Sequence, residues 1–354
     1  MYQFDAEKSD HSFSPDHILT SCVFLLTGIG LVTLYSSSYA FGERFFGDGL
    51  YFVLRQLILG AGGVVLFFIA SRINLDRLRK RKWMMLLVFG TVLLCLLTFV
   101  PGVGVSKNGA SRWIQIGPYT YQPSELVKLV LPLYLAHIFD KKQDALDSFG
   151  SGVFPAVLIT ALFFLLIYLE NNFSTAVFIA INALVIFFIA GVRLRYFFAA
   201  VVMLLPLSSL LILTREHRLR RLISFIWPEW EPQGAGYQVR SSLLTIMSGG
   251  FWGKGIGQGT RKIASVPEIH SDFIFSSFAE ETGFLGVLVF FVLFAVFAVQ
   301  GYKASLRSDT VFKRLLSFGL VTMILSQALL NIAVVSGSLP ATGIPLPFFS
   351  AGGS

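Results

Sequence analysis

Residues 284–330, FLGVLVFFVLFAVFAVQGYKASLRSDTVFKRLLSFGLVTMILSQALL, contain two long apolar runs joined by a short basic linker. Runs of about twenty apolar residues are long enough to cross a hydrocarbon layer as helices. Arginine and lysine near the ends of such helices are held on the cytoplasmic side. The stretch therefore predicts a membrane-spanning helical hairpin whose turn lies in the cytoplasm. The basic residues of the linker are Lys303, Arg307, Lys313 and Arg314.

Apolar runs of this kind recur along the whole chain. Of its 354 residues, 55% are hydrophobic and 14% are charged, whereas about a quarter of the residues are charged in ordinary soluble domains. No stretch between the runs is long enough to form a soluble domain with its own hydrophobic core. The chain is therefore predicted to be an all-α polytopic integral membrane protein with one domain over residues 1–354. The nine predicted spans lie near residues 17–41, 51–71, 83–102, 123–139, 153–170, 174–191, 195–214, 281–300 and 314–336.

Basic residues in the short loops predict how the spans are oriented. The loops after the second, fourth, sixth and eighth spans carry arginines and lysines, which places them and the N-terminal tail 1–16 in the cytoplasm. The other loops are expected to face outward, among them 103–122 and the long loop 215–280. That long loop is itself basic, but loops above about 60 residues escape the charge rule. A basic loop outside the cell predicts an anionic partner at the outer membrane face.

Several function classes find no support in the sequence. The tail 1–16 lacks a basic region and a cleavage site, so the first span is expected to be retained. Cys22 and Cys95 lie in separate apolar runs, which favours buried hydrophobic roles over a disulfide or a metal site. Phosphate-loop and HExxH patterns are absent, and no nucleic-acid partner is indicated. The glycines of 249–259 follow no strand, so that stretch is predicted to be a re-entrant or interfacial loop.

The stretch 107–128, KNGASRWIQIGPYTYQPSELVK, precedes and begins the fourth predicted span. Pro123 suits the first turn of a helix, and Gln122 or Ser124 could satisfy its early amides. Glu125 and Lys128 lie three residues apart on one helix face, just inside the apolar run, where a lone charge is costly. They are expected to neutralise each other or to pair with another loop.

Two readings of the stretch 266–286, VPEIHSDFIFSSFAEETGFLG, are open on the residues alone. In the first, Ser271 or Asp272 is the N-cap of a short helix that leads into the eighth span. In the second, Asp272 faces an outward cavity as a general base, and Glu280 lies two turns further along the same face. The segment 331–354, rich in proline and glycine, is expected to form a re-entrant wall at outer-leaflet depth rather than a plain loop.

Five motifs together resemble the SEDS family (shape, elongation, division and sporulation), whose members polymerise peptidoglycan glycan strands. The resemblance covers the chain from the first span onward and is highly specific. Within the family, NGASRWI and the serines 36–38 resemble the division branch, FtsW, although KGIGQGT and GIPLPF also occur in RodA-like elongation members. The family has ten helices, so a tenth is expected after residue 354. The motifs are NGASRWIQIG, QPSELVK, PEIHSDFIF, EETGFLG and GIPLPFFSAGGS.

The resemblance implies roles for particular residues and partners. It implies that Asp272 is the essential catalytic carboxylate and that Glu125 and Lys128 form a structural or gating ion pair. It also implies a substrate, lipid II, a disaccharide pentapeptide on undecaprenyl diphosphate. The implied partners are a class B penicillin-binding protein transpeptidase and other division proteins, at the septum of the bacterial cytoplasmic membrane. Ser271 stands where members commonly have threonine, which keeps the hydroxyl.

The expected reaction joins a sugar hydroxyl of incoming lipid II to the anomeric carbon of the growing strand and expels undecaprenyl diphosphate. Asp272 is expected to take the hydroxyl proton as general base in one inverting displacement. Basic side chains or a divalent cation would stabilise the diphosphate, and no metal-ligand residues are assigned. The substrate-binding candidates are Lys107, Arg112, Gln122, Ser124, Arg218, Arg221, Arg240, Arg261, Lys262, His270, Ser271, Glu280 and Ser350.

Two other functions are open alternatives. A lipid II flippase would place charges deep between helices, accessible from both faces, whereas the titratable groups here lie at predicted outward helix ends. The lack of an internal repeat also weakens a transporter reading. A non-catalytic scaffold of the division machinery would only recruit a transpeptidase, and Asp272 would then be dispensable.

Overall fold

The computed structural model describes residues 16–107, 110–117, 119–214, 216–227, 235–259 and 271–352. Helices dominate these residues, with one small sheet between α4 and α5. The helices are α1 (His17–Phe46), α2 (Tyr51–Ser71), α3 (Leu75–Leu78), α4 (Arg81–Leu97), α5 (Pro123–Lys141), α6 (Phe154–Leu169), α7 (Phe173–Ile189), α8 (Leu194–Leu213), α9 (Glu216–Ile226), α10 (Ala235–Ser248), α11 (Ile274–Leu306) and α12 (Val311–Val335). A 3-10 turn (Gln143–Ala145) and a π turn (Phe149–Val153) precede α6.

Each of the nine predicted spans coincides with a helix, although some ends differ. Among the described residues, five helical segments are long and apolar enough to cross a membrane. The shorter helix Phe173–Ile189 is also apolar. The fold is therefore a polytopic membrane bundle, while the count of nine spans stays a prediction. The five segments are His17–Phe46, Tyr51–Ser71, Phe149–Leu169, Ile274–Leu306 and Val311–Val335.

Several helix ends differ from the predicted spans by a few residues, and local backbone geometry explains what is observed at α1 and α11. α1 runs on to Phe46, where Gly47 in the left-handed conformation (φ 69°) closes it. α11 begins at Ile274 and comprises two helices joined at a kink, which agrees with the short helix expected to lead into the eighth span. The kink is at Gly283 (φ 63°, ψ −164°), a conformation that is essentially restricted to glycine. Just after it, the amides of Phe284 and Leu285 donate to the carbonyls of Gly250 and Phe251 instead of to the helix.

The expected loop 103–122 contains a three-stranded antiparallel sheet in the order β1 (Gly104–Lys107), β2 (Ala110–Ile116), β3 (Tyr119–Tyr121). Ile114 of β2 lies opposite Gly104 of β1 and Tyr121 of β3. Aromatic and β-branched residues in these short runs favour strands. The sheet directs β2 toward the turn between α6 and α7.

α12 lies at the centre of the bundle and packs against α5, α7 and α11. Its buried face meets apolar residues of its neighbours, such as Leu131, Ile186 and Phe290. α2 lies at the periphery, and none of its residues is buried. Large apolar side chains are therefore exposed on the outside of the bundle, as expected for helices that face lipid.

Polar contacts gather the loops into two groups. At one end, which we call the Asp140 end, Arg79 Nε lies 2.7 Å from Asp140 Oδ2 and Arg193 Nε lies 2.5 Å from Asp147 Oδ1. At the other, the Asp272 end, residues of β2, α9, the α6–α7 turn and the segment after α12 contact one another. This grouping matches the predicted division of loops between the two membrane faces. Which end faces the cytoplasm stays a prediction.

Candidate functional site

Asp272 lies immediately before α11 and is half-buried. Its backbone carbonyl accepts a hydrogen bond from Asn331 Nδ2 of α12 at 2.9 Å. The same amide nitrogen donates to the carbonyl of Ile344, also at 2.9 Å. Gly343 (φ 72°) passes close to the carboxylate, since a Cβ built there would lie 3.5 Å from Asp272 Oδ2. The helix α12 and the segment after it therefore fix the position of Asp272.

The N-cap reading of Ser271 and Asp272 is wrong. The residue at the N-cap position of α11 is Phe273, whose side chain makes no capping hydrogen bond. The carbonyl of Ser271 instead accepts a hydrogen bond from Ser350 Oγ at 2.6 Å. Ser350 Oγ also accepts one from the backbone amide of Leu346 at 2.8 Å. Ser350, predicted to contact substrate, thus ties the segment after α12 to the Asp272 backbone.

The segment from Ser336 to Gly352 is largely irregular but is packed inside the protein. Ile344, Leu346 and Phe349 are buried. Gly30 of α1 lies so close that an added Cβ would be 2.1 Å from the Phe348 carbonyl oxygen. Irregular backbone at membrane depth is tolerated only where protein buries it or it lines a cavity. The segment is therefore a packed wall beside Asp272 rather than a plain loop.

Glu125 and Lys128 form the expected ion pair, with Lys128 Nζ 2.6 Å from Glu125 Oε2. Lys128 is buried and also donates to Gln327 Oε1 of α12 at 3.1 Å. Gln327 Nε2 in turn donates to the carbonyl of Pro345 at 3.0 Å. The pair is thus connected through α12 to the segment that packs against Asp272.

Arg218 of α9 lies on the turn between α6 and α7. Its guanidinium carbon is 4.7 Å from the ring centroids of both Tyr168 and Phe173, the distance of a cation–π contact. Arg218 is only 7% exposed. It therefore holds α9 against the turn and keeps a buried positive charge there.

Arg112 of β2 reaches the same turn from another side and donates to the carbonyl of Asn171. Asn171 has a left-handed backbone conformation (φ 59°), so this carbonyl lies in a tight turn. Burial lowers the pKa of Arg112, the nearby charge of Arg221 lowers it further, and Glu170 opposes the shift. Arg112 and Arg221 are therefore neighbouring cations.

Arg221 connects the arginines to Asp272. Its Nη1 donates to the carbonyl of Ala341 at 3.2 Å. Burial lowers its pKa, and the Asp272 carboxylate opposes that shift. Because Arg221 lies one turn after Arg218 on α9, both point from the same helix face. The structure therefore places a general-base candidate beside a cluster of guanidinium groups.

Several buried donors in this region have no hydrogen-bond partner within the described part of the chain. An unpaired buried donor costs about 1–3 kcal/mol. Donors of this kind, grouped around arginines, indicate a site for an anionic ligand that would accept from them. The donors are Arg112 Nε, Asn172 Nδ2, Arg218 Nε and Thr342 Oγ1.

Residues 16–354 match the model of the FTSW_RODA_SPOVE family, described as cell cycle protein. The chain belongs to this family. It is 37% identical over 339 residues to the probable peptidoglycan glycosyltransferase FtsW of Geobacter sp. (strain M18), covering 96% of this chain and 92% of that protein. It is 36% identical over 344 residues to stage V sporulation protein E of Bacillus subtilis (strain 168), covering 96% of this chain and 93% of that protein.

Two solved structures share the fold of this family member. One, from a study of how a peptidoglycan synthase complex coordinates polymerization and crosslinking, aligns with a TM-score of 0.80 and 26% identity over 97% of this chain and 93% of that chain. The other is a mutant of the Thermus thermophilus rod shape determining protein RodA, with a TM-score of 0.70 and 25% identity over 97% and 92% of the two chains. The polytopic membrane fold predicted for the family is thereby confirmed.

Glu280, a substrate-binding candidate from the sequence, contacts α10 and the stretch 249–259 in this family member. It is fully buried, and its Oε1 accepts from Lys254 Nζ at 2.7 Å and from Ser248 Oγ at 3.1 Å. The neighbouring Glu281 accepts from Ser36 Oγ at 2.5 Å. These contacts hold the stretch 249–259 and α1 against α11 at the Gly283 kink.

The remaining candidates are spread more widely. Gln122 caps α5 without a side-chain bond to the helix, and its Nε2 donates instead to Ser124 Oγ at 2.8 Å. Arg240 is exposed on α10, and Lys107 ends β1. The structure shows no group of three or more His, Cys, Asp or Glu placed to hold a metal ion in the parts it describes. Outside the described residues lie Arg261, Lys262 and His270.

Sequence reasoning missed Glu170, Asn172, Gln327, Asn331 and Thr342. The polar triplet that holds Glu170 and Asn172 was visible between two apolar runs, but it indicated only a tight turn. Gln327 and Asn331 lie one helical turn apart inside an apolar helix, where buried amides need partners. That spacing was the available signal for a polar contact along α12.

Proposed function

We propose that the chain is a peptidoglycan glycosyltransferase that polymerises lipid II at the outer face of the cytoplasmic membrane during cell division. The observation that carries this proposal is the half-buried Asp272 beside Arg221, which neighbours Arg112 and a group of unpaired buried donors. A carboxylate to accept the proton and a cluster of donors to bind the diphosphate are the two parts that this transfer needs. The relatives named peptidoglycan glycosyltransferase support the same conclusion.

Asp272 serves as the general base. A sugar hydroxyl of incoming lipid II attacks the anomeric carbon of the growing strand, and its proton passes to the Asp272 carboxylate as the new C–O bond forms. The bond from the anomeric carbon to undecaprenyl diphosphate breaks at the same time, and the diphosphate leaves with the electron pair. One displacement inverts the anomeric centre.

Arg112 and Arg221 bind the diphosphate as negative charge develops on it. Guanidinium groups present several donors in a fixed plane and match phosphate oxygens well. Because these arginines are largely buried, their attraction for the leaving group is screened less than on an open surface. Arg218, fixed on its two aromatic rings, and the amide of Asn172 supply further positive potential and donors.

Glu125 and Lys128 act on the site from a distance. Their ion pair reaches Gln327 and then the carbonyl of Pro345. A change in the pair would shift the wall segment that packs against Asp272. We assign the pair a structural or gating role rather than a direct part in the chemistry.

The solved synthase complex suggests how the enzyme is organised in the cell. We propose that a class B penicillin-binding protein crosslinks the strands that this chain polymerises, at the division septum. The N-terminal tail lies in the cytoplasm in this proposal, because the basic short loops favour that orientation.

A product assay distinguishes this enzyme from a flippase or a scaffold. The full chain, purified with a class B penicillin-binding protein, is given labelled lipid II in detergent, and in vesicles that report translocation. An enzyme yields glycan chains in both settings. Translocated monomer without glycan chains would support the flippase instead, and no product in either setting would support the scaffold.

A further inference from the structure

Glu170 is a buried acid inside the proposed anion site. It follows the last residue of α6, one position beyond the membrane-spanning segment Phe149–Leu169. It is 0% exposed, and neither carboxyl oxygen makes a hydrogen bond of acceptable geometry within the described residues. The proposed reaction gives this carboxyl no role, although Arg112 donates to the carbonyl of the very next residue.

Charged and titratable groups approach Glu170 from several elements. Arg112 of β2 and the Cys95 thiol of α4 interact with its carboxyl, and a thiol is only a weak donor. Tyr121 of β3 interacts with Cys95 in turn. Beyond Arg112 lies Arg221 of α9. Arg218, on the same helix, covers the ring of Tyr168, two residues before Glu170.

This setting favours the neutral form of the carboxyl. Burial raises the pKa of Glu170 to about 8, against the opposing effects of Arg112 and Cys95. Taking an unpaired carboxylate out of water is expensive, and proteins commonly avoid the cost by keeping the proton. At neutral pH the group therefore leaves the positive charge of Arg112 uncompensated.

We propose that Glu170 is a positioning residue whose proton decides whether Arg112 is available to a prenyl diphosphate. While Glu170 is neutral, Arg112 presents its charge and its unpaired Nε to the ligand. When Glu170 is ionised, it pairs with Arg112 and repels the diphosphate. This inference rests on the proposed function and adds that binding of the diphosphate is coupled to protonation of Glu170.

The proton balance of this step is simple. Above the pKa of Glu170, binding of the diphosphate takes up one proton from solvent, which enters the Glu170 carboxyl. Departure of the diphosphate releases that proton. No proton is exchanged with the diphosphate itself. Phosphate esters titrate near pH 6, so the diphosphate is already ionised at pH values above the pKa of Glu170.

The test is the binding of farnesyl diphosphate to the purified full chain in detergent at pH 7 and pH 9. If only the protonated form binds, a pKa of about 8 makes the wild-type Kd about tenfold larger at pH 9 than at pH 7. E170Q cannot ionise, so its Kd should lack this pH dependence. The matched control is E216Q, an exposed acid of α9 paired with Arg220, which should keep the wild-type pH dependence.

Equal pH dependence in E170Q and wild type overturns the proposal. If E170Q does not fold, calorimetry of the wild type at pH 8.5, in two buffers that differ in ionisation enthalpy, decides the question. Uptake of about three-quarters of a proton, the ionised fraction at pH 8.5 of a group whose pKa is about 8, supports the proposal, and no uptake overturns it. Arg112→Ala and Arg221→Ala test the proposed function separately. Unchanged binding of farnesyl diphosphate by both variants would show that these arginines do not form the diphosphate site.

Discussion

At the scale of single residues, the site consists of groups that are costly to bury and are nonetheless buried. Glu170 has no hydrogen-bond partner for its carboxyl oxygens in the described chain, and the donors of Arg112 and Asn172 are incompletely used. Core residues selected only for stability would be paired or apolar. The unpaired groups therefore indicate where a ligand binds.

Removing the Glu170 carboxyl should stabilise the protein more as the pH rises. The group titrates near 4.5 when unfolded and near 8 when folded. Between these values the folded state keeps a proton that the unfolded state gives up, so wild-type stability falls with rising pH. E170Q has no ionisable group at this position, so its stability lacks this fall with rising pH. Its melting temperature should exceed that of wild type more at pH 8 than at pH 5, and a difference that does not change with pH would contradict this.

Arg221 is expected to matter for the rate. Arg221→Ala removes the guanidinium that lies near both Asp272 and Arg112. Losing one preorganised donor for a developing anion typically costs about 10²-fold or more in kcat. Initial rates of glycan synthesis should therefore fall by about that factor. The matched control is Arg220→Ala, the neighbouring exposed arginine paired with Glu216, and an equal loss there would argue against a specific role.

At the scale of elements, α12 organises the site without contributing a catalytic group. Gln327 and Asn331, one turn apart, connect the Glu125–Lys128 pair to the Asp272 backbone through the segment after the helix. Two amides in a largely apolar helix could be recognised in the sequence as needing partners. Their partners could not, because these lie in a segment whose path is irregular.

Asn331→Leu should slow polymerisation without unfolding the bundle. The change leaves the carbonyls of Asp272 and Ile344 without this donor, at a cost of about 1–3 kcal/mol. We expect kcat to fall at least about tenfold, because a slightly displaced base loses much of its effect. Ser326→Ala, also on α12, removes a hydrogen bond to Asn182 of α7 and serves as control. Full activity of Asn331→Leu would show that α12 does not position Asp272.

The sheet β1–β3 was not predicted from the sequence, because long apolar runs indicate only helices. Long apolar runs predicted nine spans that each coincide with a helix, whereas the stretch 103–122 was expected to be a loop because its strands are short and polar at their edges. The consequence was functional, because β2 carries Arg112 to the α6–α7 turn. Arg112 was recognised as a candidate from the sequence, while its contact with the α6–α7 turn was not.

At the scale of the whole molecule, the chain separates into two polar ends around an apolar bundle. Composition and the basic loops predicted this division, and the contacts at the Asp140 and Asp272 ends agree with it. Assembly of the site could not be predicted, because its donors come from positions 112, 172, 218 and 342. Only the folded chain brings such distant residues together, and the resemblance to the family had implied roles for Asp272, Glu125 and Lys128 but for none of these donors.

In the proposed function Asp272 performs the chemistry, and one substitution tests this role most directly. Asp272→Asn keeps the size of the side chain but removes a base that can accept a proton. The full chain is purified with its penicillin-binding protein partner and given labelled lipid II, with Asp309→Asn, an exposed acid of the α11–α12 turn, as control. We predict no glycan strands from Asp272→Asn, with partner binding and melting temperature unchanged, and normal strands from the control. Glycan synthesis at the wild-type rate by Asp272→Asn would contradict the account.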